Sequence, residues 1–257
     1  MIRIQEEIEV WGTIVFVDAT STHLSEKSLR VAIDEVRSFT YHVDEVFSTY
    51  KQDSVISKLR RNEISIDGCS PEVIEVWNSC ANARHLSDGA FDPWKVSDGF
   101  DPCGYVKGWA ADICADMLVT AGAAHVQVNA AGDIALRGGY REGDVVKPWS
   151  IGVVNPENRL EVLQVFAITD GAIATSGMYE RGAHINDPYT GMIAIGAESA
   201  TVIGPDGGLC DALATALMVS GEDGAVWLSE PELAEYSAWV INRNEKTSWA
   251  LGPAITN

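Results

Sequence analysis

The sequence predicts an α+β fold, on three observations. Apolar residues recur at helical spacing over about 25–47, and helical patterns return at about 104–120 and 209–220. Five short runs between 125 and 176, rich in β-branched and aromatic residues, follow one another with turns but no helices between them, which predicts antiparallel pairing. No regular βαβ alternation, internal repeat or linker interrupts the chain. Residues 1–257 therefore read as one compact domain, or as two closely packed lobes.

In order, IEVWGTIVFV (8–17) reads as a strand. A long amphipathic helix follows, with Leu29, Ile33, Val36, Val43 and Phe47 on its apolar face. It runs into FSTYKQDSVISKL, a polar turn and short helix with Tyr50 at the junction. Ser70-Pro71 starts the next helix, with serine as cap and proline in the first turn. Ile74, Trp77 and Ala81 are its expected buried face, and Asp88-Gly89 its end. A helix over about 104–120 closes at Gly122. Strands are then expected at HVQVN, DIALRG, WSIGVV, VLQVFAIT, AIATS and SATVIG, a helix at LCDALATALMVS stopped by Gly221, and a last strand at SAWVINR. The acids Glu222, Asp223, Glu230, Glu232 and Glu235 read as a solvated helix face.

Composition narrows the function. A net charge of −19 argues against a nucleic-acid or anionic-membrane partner, which would need clustered Lys and Arg. Any anionic substrate must then be drawn in locally, by a metal, a helix end or a few basic side chains. No apolar run reaches the roughly 18 residues of a spanning helix. Glu6, Glu7 and Glu9 break up what would otherwise resemble a leader peptide. The five cysteines (69, 80, 103, 114 and 210) are odd in number and lack a C-x-x-C, which favours reduced thiols. The expected location is the cytoplasm.

The chemistry concentrates between Phe91 and Asp133. Two Asp-Pro corners (Asp92-Pro93 and Asp101-Pro102) fix the local backbone and pre-position their carboxylates. Gly104-Tyr-Val-Lys107-Gly108 then offers backbone N–H groups and a cation at a helix start, where the dipole favours anions. Gly99 and Gly104 have the outer spacing of a P-loop, but Tyr105 stands where that motif requires Lys. No G-x-G-x-x-G follows a strand, so a Rossmann site is unsupported.

Two further groups are candidates. Asp211 and Thr215 lie four apart, on one face of a helix, and together suit a hard cation such as Mg²⁺. Taken alone, the pair reads better as an aspartate complementing the helix dipole and a threonine bonding to the preceding turn. ATSGMYERGAHINDPYTG (174–191) gathers polar groups around a further Asp-Pro corner, with His184 as a possible base and Thr175-Ser176-Gly177 as a polar strand end. Asp133, in isolation, is a hairpin Gly-Asp turn.

Six of these segments, in register, resemble the FAD:protein FMN transferase family, the ApbE-like flavin transferases. They are FSTYKQDSVISKL, GAFDP, FDPCGYVKGWAAD, NAAGDI, ATSGMYERGAHINDPYTG and CDALATAL. Each is weak alone; six in order make a strong signal. The resemblance implies an α+β, T-fold-like architecture and binding of FAD with Mg²⁺ at its pyrophosphate. It implies contacts to FAD from Tyr50, Ala90, Phe91, Asp92, Asp101, Lys107 and the Ile185 region. Asp211, Thr215 and the Gly104 carbonyl would be the Mg²⁺ ligands, and His184, before the Asp-Pro turn, the base.

The implied reaction is flavinylation of a protein. A Thr or Ser hydroxyl of an acceptor protein attacks the FMN phosphorus of FAD, and AMP leaves. Two alternatives share the same residues: an FAD pyrophosphatase giving FMN and AMP, and a non-enzymatic flavin carrier. The chain departs from the family pattern in three ways. Ala131 replaces a usual glycine, the segment from Phe91 to Asp101 is short, and the opening residues do not read as an export signal, where many members are exported lipoproteins.

Overall fold

A computed structural model describes residues 1–95, 99–177, 185–243 and 247–255. Its frame is an eight-stranded sheet in which every neighbouring pair is antiparallel. The spatial order is β1 (Ile2–Val10), β2 (Thr13–Ser21), β3 (His125–Ala130), β4 (Asp133–Arg137), β9 (Gly171–Gly177), β10 (Ala197–Gly204), β11 (Ser237–Asn242) and β12 (Ser248–Leu251). Between β4 and β9 the chain makes two separate hairpins, β5 (Tyr140–Glu142) with β6 (Val145–Lys147), and β7 (Trp149–Asn155) with β8 (Asn158–Ile168). The α+β expectation holds, and antiparallel pairing extends through the whole sheet.

The run 8–17 is two strands, not one. Trp11 and Gly12 have φ of 58° and 68°, the left-handed pair that a two-residue hairpin turn requires to match the twist of its strands. Gly12 supplies that conformation easily; Trp11 hides it from a reading based on turn residues.

Helices α1 (Glu26–Phe47), α4 (Cys103–Ala121) and α5 (Gly207–Ser220) cover one face of the sheet. Ser25 caps α1 by accepting from the Ser28 N–H, and Ser54 caps the short α2 (Val55–Arg60) by accepting from Ser57. Gly122, at φ 109°, ends α4 as expected. The period-2 alternation of the strands sorts the core. Ala135, Ala172 and Val202 face the helices, while Leu136, Ile173 and Ile203 face Trp149, Val153, Phe166 and Ile168 of the β7–β8 hairpin on the other side.

Helix α3 (Pro71–Leu86) buries Val73, Val76, Cys80 and Ala83, so the expected face of Ile74, Trp77 and Ala81 is displaced. Trp77 instead lies partly buried in an aromatic cluster, 5.0 Å from Trp94 and 4.5 Å from Phe100 between ring centroids. The acids from Glu222 to Glu235 are exposed, but they ride on short helical turns around α6 (Gly224–Leu228) and not on one helix face. The hairpin β5–β6 and the strand β12 were not anticipated. The five cysteines are unpaired. Among the described residues, no helix is long and apolar enough to cross a membrane.

Candidate functional site

The site exists because α4 and α5 cross at unusually close range. A Cβ on Gly108 would sit 2.0 Å from the Gly207 carbonyl oxygen, and one on Gly208 would sit 2.5 Å from the Tyr105 ring. Only glycine permits that approach. Asp206 caps α5 by accepting from the Leu209 N–H, and Asp112 of α4 accepts from the Gly207 N–H. Arg137 of β4 donates to Asp112 at 2.9 Å, joining both helices to the sheet. Burial nevertheless raises the Asp112 pKa, against the opposing pull of the Gly207 N–H and Arg137.

This crossing brings the first turn of α4 against the middle of α5. Asp211 and Thr215 project from α5 one turn apart, and Gly104 faces them. A Cβ on Gly104 would lie 3.2 Å from the Thr215 hydroxyl and 3.3 Å from the Phe91 ring. Gly104 has φ −87° and ψ 23°, off the helical values, so the helix kinks at this residue. Ser176, at the end of β9, has its hydroxyl 3.3 Å from that of Thr215.

Lys107 stands one turn beyond Gly104. Its ammonium donates to Asp133 in a short contact and to Asp211 at 3.4 Å. Asp133 and Asp211 are 2% and 3% exposed, so both charges are held away from water. Burial, and next the charge of Asp133, raise the Asp211 pKa to about 7, while Lys107 and the Gly108 N–H oppose the rise. Asp133 is thus more than a turn residue. The turn is Ala131-Gly132, at φ 59° and 103°, and Asp133 opens β4 opposite Ala130 with its carboxylate turned into the site.

Gly104, Lys107, Ser176, Asp211 and Thr215 line a cavity of about 190 Å³ together with Ala90, Phe91, Asp92, Asp101 and Ile185, and Asp133 joins it through Lys107. The carboxylates are pre-positioned as their Asp-Pro corners predict. Asp92 accepts from Arg84 at 2.6 Å and from the Trp94 N–H at 3.1 Å, and Asp101 accepts from the Cys103 N–H at 2.9 Å. Ile185 is buried, and its carbonyl accepts from the Ala194 N–H. Tyr50 is not among the lining residues. It is 88% exposed on an adjoining cavity of about 850 Å³, which shares Cys103, Lys107 and Ala131 with the first. His184 lies outside the described residues.

Sequence alone marks Ser176 only as part of a polar strand end and does not single out Cys103. Ser176 reaches Thr215 only through the register of β9 over α5, for which no local pattern exists. Cys103, in the first turn of α4, borders both cavities, and burial pushes its thiol up to about 12.

Among the described residues, no three His, Cys, Asp or Glu side chains cluster so as to hold a metal by themselves. A cation here must take neutral oxygens as well. The Asp211 carboxylate and the Thr215 hydroxyl, with the kinked Gly104 beside them, could supply such a set to a hard cation.

The model of the ApbE family matches residues 11–97 and 95–239, most of the chain. The chain belongs to the ApbE family. Among curated relatives, the FAD:protein FMN transferase of Vibrio cholerae is 37% identical over 134 residues, 48% of this chain and 39% of that protein. The protein of the same name from Rhodobacter capsulatus is 28% identical over 201 residues, 73% of this chain and 34% of its own length. The matched regions thus span little more than a third of each. Two solved ApbE structures share the fold. The flavin transferase ApbE of Vibrio cholerae has a TM-score of 0.81 at 22% identity, with 97% of this chain and 96% of that one covered. The ApbE protein of Thermotoga maritima has a TM-score of 0.82 at 22% identity, with 96% of each covered.

Proposed function

We propose that this protein transfers the FMN moiety of FAD to a Thr or Ser hydroxyl of an acceptor protein, with Mg²⁺, and releases AMP. The observation that carries this reading is the convergence of Gly104, Lys107, Asp211 and Thr215 on one cavity, in a chain of the ApbE family. The curated relatives bear the name of that activity.

Asp211, Thr215 and the Gly104 carbonyl would hold Mg²⁺, which when bound would screen the pyrophosphate charge and stabilise the charge that develops on it. Lys107 would supply a second positive charge beside the diphosphate. Ala90, Phe91, Asp92, Asp101 and the Ile185 region would hold FAD, and Tyr50 would offer its ring from the adjoining cavity. The acceptor oxygen forms a bond to the FMN phosphorus, the bond to the bridging oxygen breaks, and AMP departs with that oxygen. The hydroxyl is too weakly acidic to react unaided, and its proton passes to His184. Five unpaired cysteines support a reducing, cytoplasmic setting.

The test is to separate the nucleotide products by chromatography with and without an acceptor domain. AMP that appears only with both acceptor and Mg²⁺ supports transfer. AMP and free FMN formed without acceptor would replace it by FAD hydrolysis, and bound FAD with no AMP under any condition by a flavin carrier.

A further inference from the structure

We propose that Asp133 is a positioning residue: it draws the Lys107 ammonium off Asp211, so that the Asp211 carboxylate stays open to a divalent cation. The inference rests on the metal assignment made above and extends it to a residue outside the ligand set.

The geometry is asymmetric. Lys107 is in short contact with Asp133 but 3.4 Å from Asp211. The two carboxylates are fixed, and the lysine is the movable member. Asp133 is the first residue of β4, held by its pairing with Ala130 across a two-residue turn, and Asp211 sits within α5, beside the glycine crossing. Lys107 has a four-carbon stem and retains 22% side-chain exposure. Asp133 therefore sets where the ammonium rests.

Charge decides the consequence. Among the described residues, the Asp133 and Asp211 carboxylates share the Lys107 ammonium beside the Thr215 hydroxyl. Without Asp133, Lys107 would neutralise Asp211, and a dication would have to break that pair in a buried setting where charges interact strongly.

The test is calorimetric titration of the whole protein with Mg²⁺ alone at pH 8, so that activity is not the readout. Asp133→Asn should weaken Mg²⁺ binding at least tenfold. Lys107→Met in the Asp133→Asn background should restore it to within about threefold of the parent, because the competing cation is gone. Lys107→Met alone should bind at least as tightly as the parent, and this arm stands even if Asp133→Asn fails to fold. Unchanged affinity in Asp133→Asn would overturn the proposal. So would a double variant no better than Asp133→Asn, which would mean that Asp133 only supports the hairpin. Asp211→Asn is the control. If it still binds Mg²⁺ as the parent does, the metal assignment itself is wrong, an outcome distinct from either of those.

Discussion

Gly108 of α4 and Gly207 of α5 meet so closely that a methyl group on Gly108 would overlap the Gly207 carbonyl, at 2.0 Å. Every group proposed to hold the cation lies within a few residues of that contact or one to two turns along α5. Gly108→Ala should therefore cost about 3 kcal/mol or more, the upper range for overpacking against a rigid backbone. Denaturant unfolding measures this, and Mg²⁺ binding should be lost even under conditions where the variant stays folded.

Ala131 carries the opposite prediction. It sits at φ 59°, a conformation that costs a residue with a Cβ about 1–2 kcal/mol. Ala131→Gly relieves that strain but loosens the unfolded chain, so a net gain of about 0.5–1 kcal/mol is expected in thermal unfolding.

Asp211 gives a pH signature. Its folded pKa of about 7 lies above the ordinary carboxylate value of 3.8. A group raised in this way contributes stability that is fully present below about pH 4 and is lost as pH rises through about 7. The melting temperature of the metal-free protein should therefore carry a downward component between about pH 4 and 7 that is missing in Asp211→Asn. Mg²⁺ needs the carboxylate, so its affinity should weaken as pH falls below 7, with proton release on binding visible in calorimetry in different buffers.

Tyr50 separates binding from folding. At 88% exposure its removal should change stability by less than about 0.5 kcal/mol. If its ring contacts FAD, Tyr50→Ala should weaken FAD binding several-fold in a fluorescence titration while leaving the melting temperature unchanged.

His184 separates binding from chemistry. His184→Ala should lower single-turnover transfer by about 10²–10⁴-fold, the range for loss of a general base, with FAD affinity nearly unchanged. A parallel fall in both would make it a binding residue.

Much of the site was legible because its parts are local. The Asp211–Thr215 spacing, the two Asp-Pro corners and the Gly104–Lys107 helix start each follow from a few adjacent residues, and the structure gathers them around one cavity. What escaped is tertiary. Lys107 meets Asp133 across 26 residues and Asp211 across 104, so no window of sequence contains that ion network. Ser176 meets Thr215 through strand register in the same way. The fold shows the same division: the helix stop at Gly122 is local and readable, whereas Ser70, read as a cap, precedes α3 without a side-chain cap bond, and the turn at Trp11-Gly12 uses a tryptophan where turn chemistry favours Asn or Gly. The buried face of α3 was displaced because Trp77 is claimed by Trp94 and Phe100 from a distant loop.

The most direct measurement is the intact mass of a flavin-acceptor domain after incubation with this protein, FAD and Mg²⁺. A covalent FMN adduct on a Thr or Ser residue is expected, absent when EDTA is added and absent with Asp211→Ala. An acceptor that remains unmodified while FAD is consumed to AMP and free FMN would contradict FMN transfer.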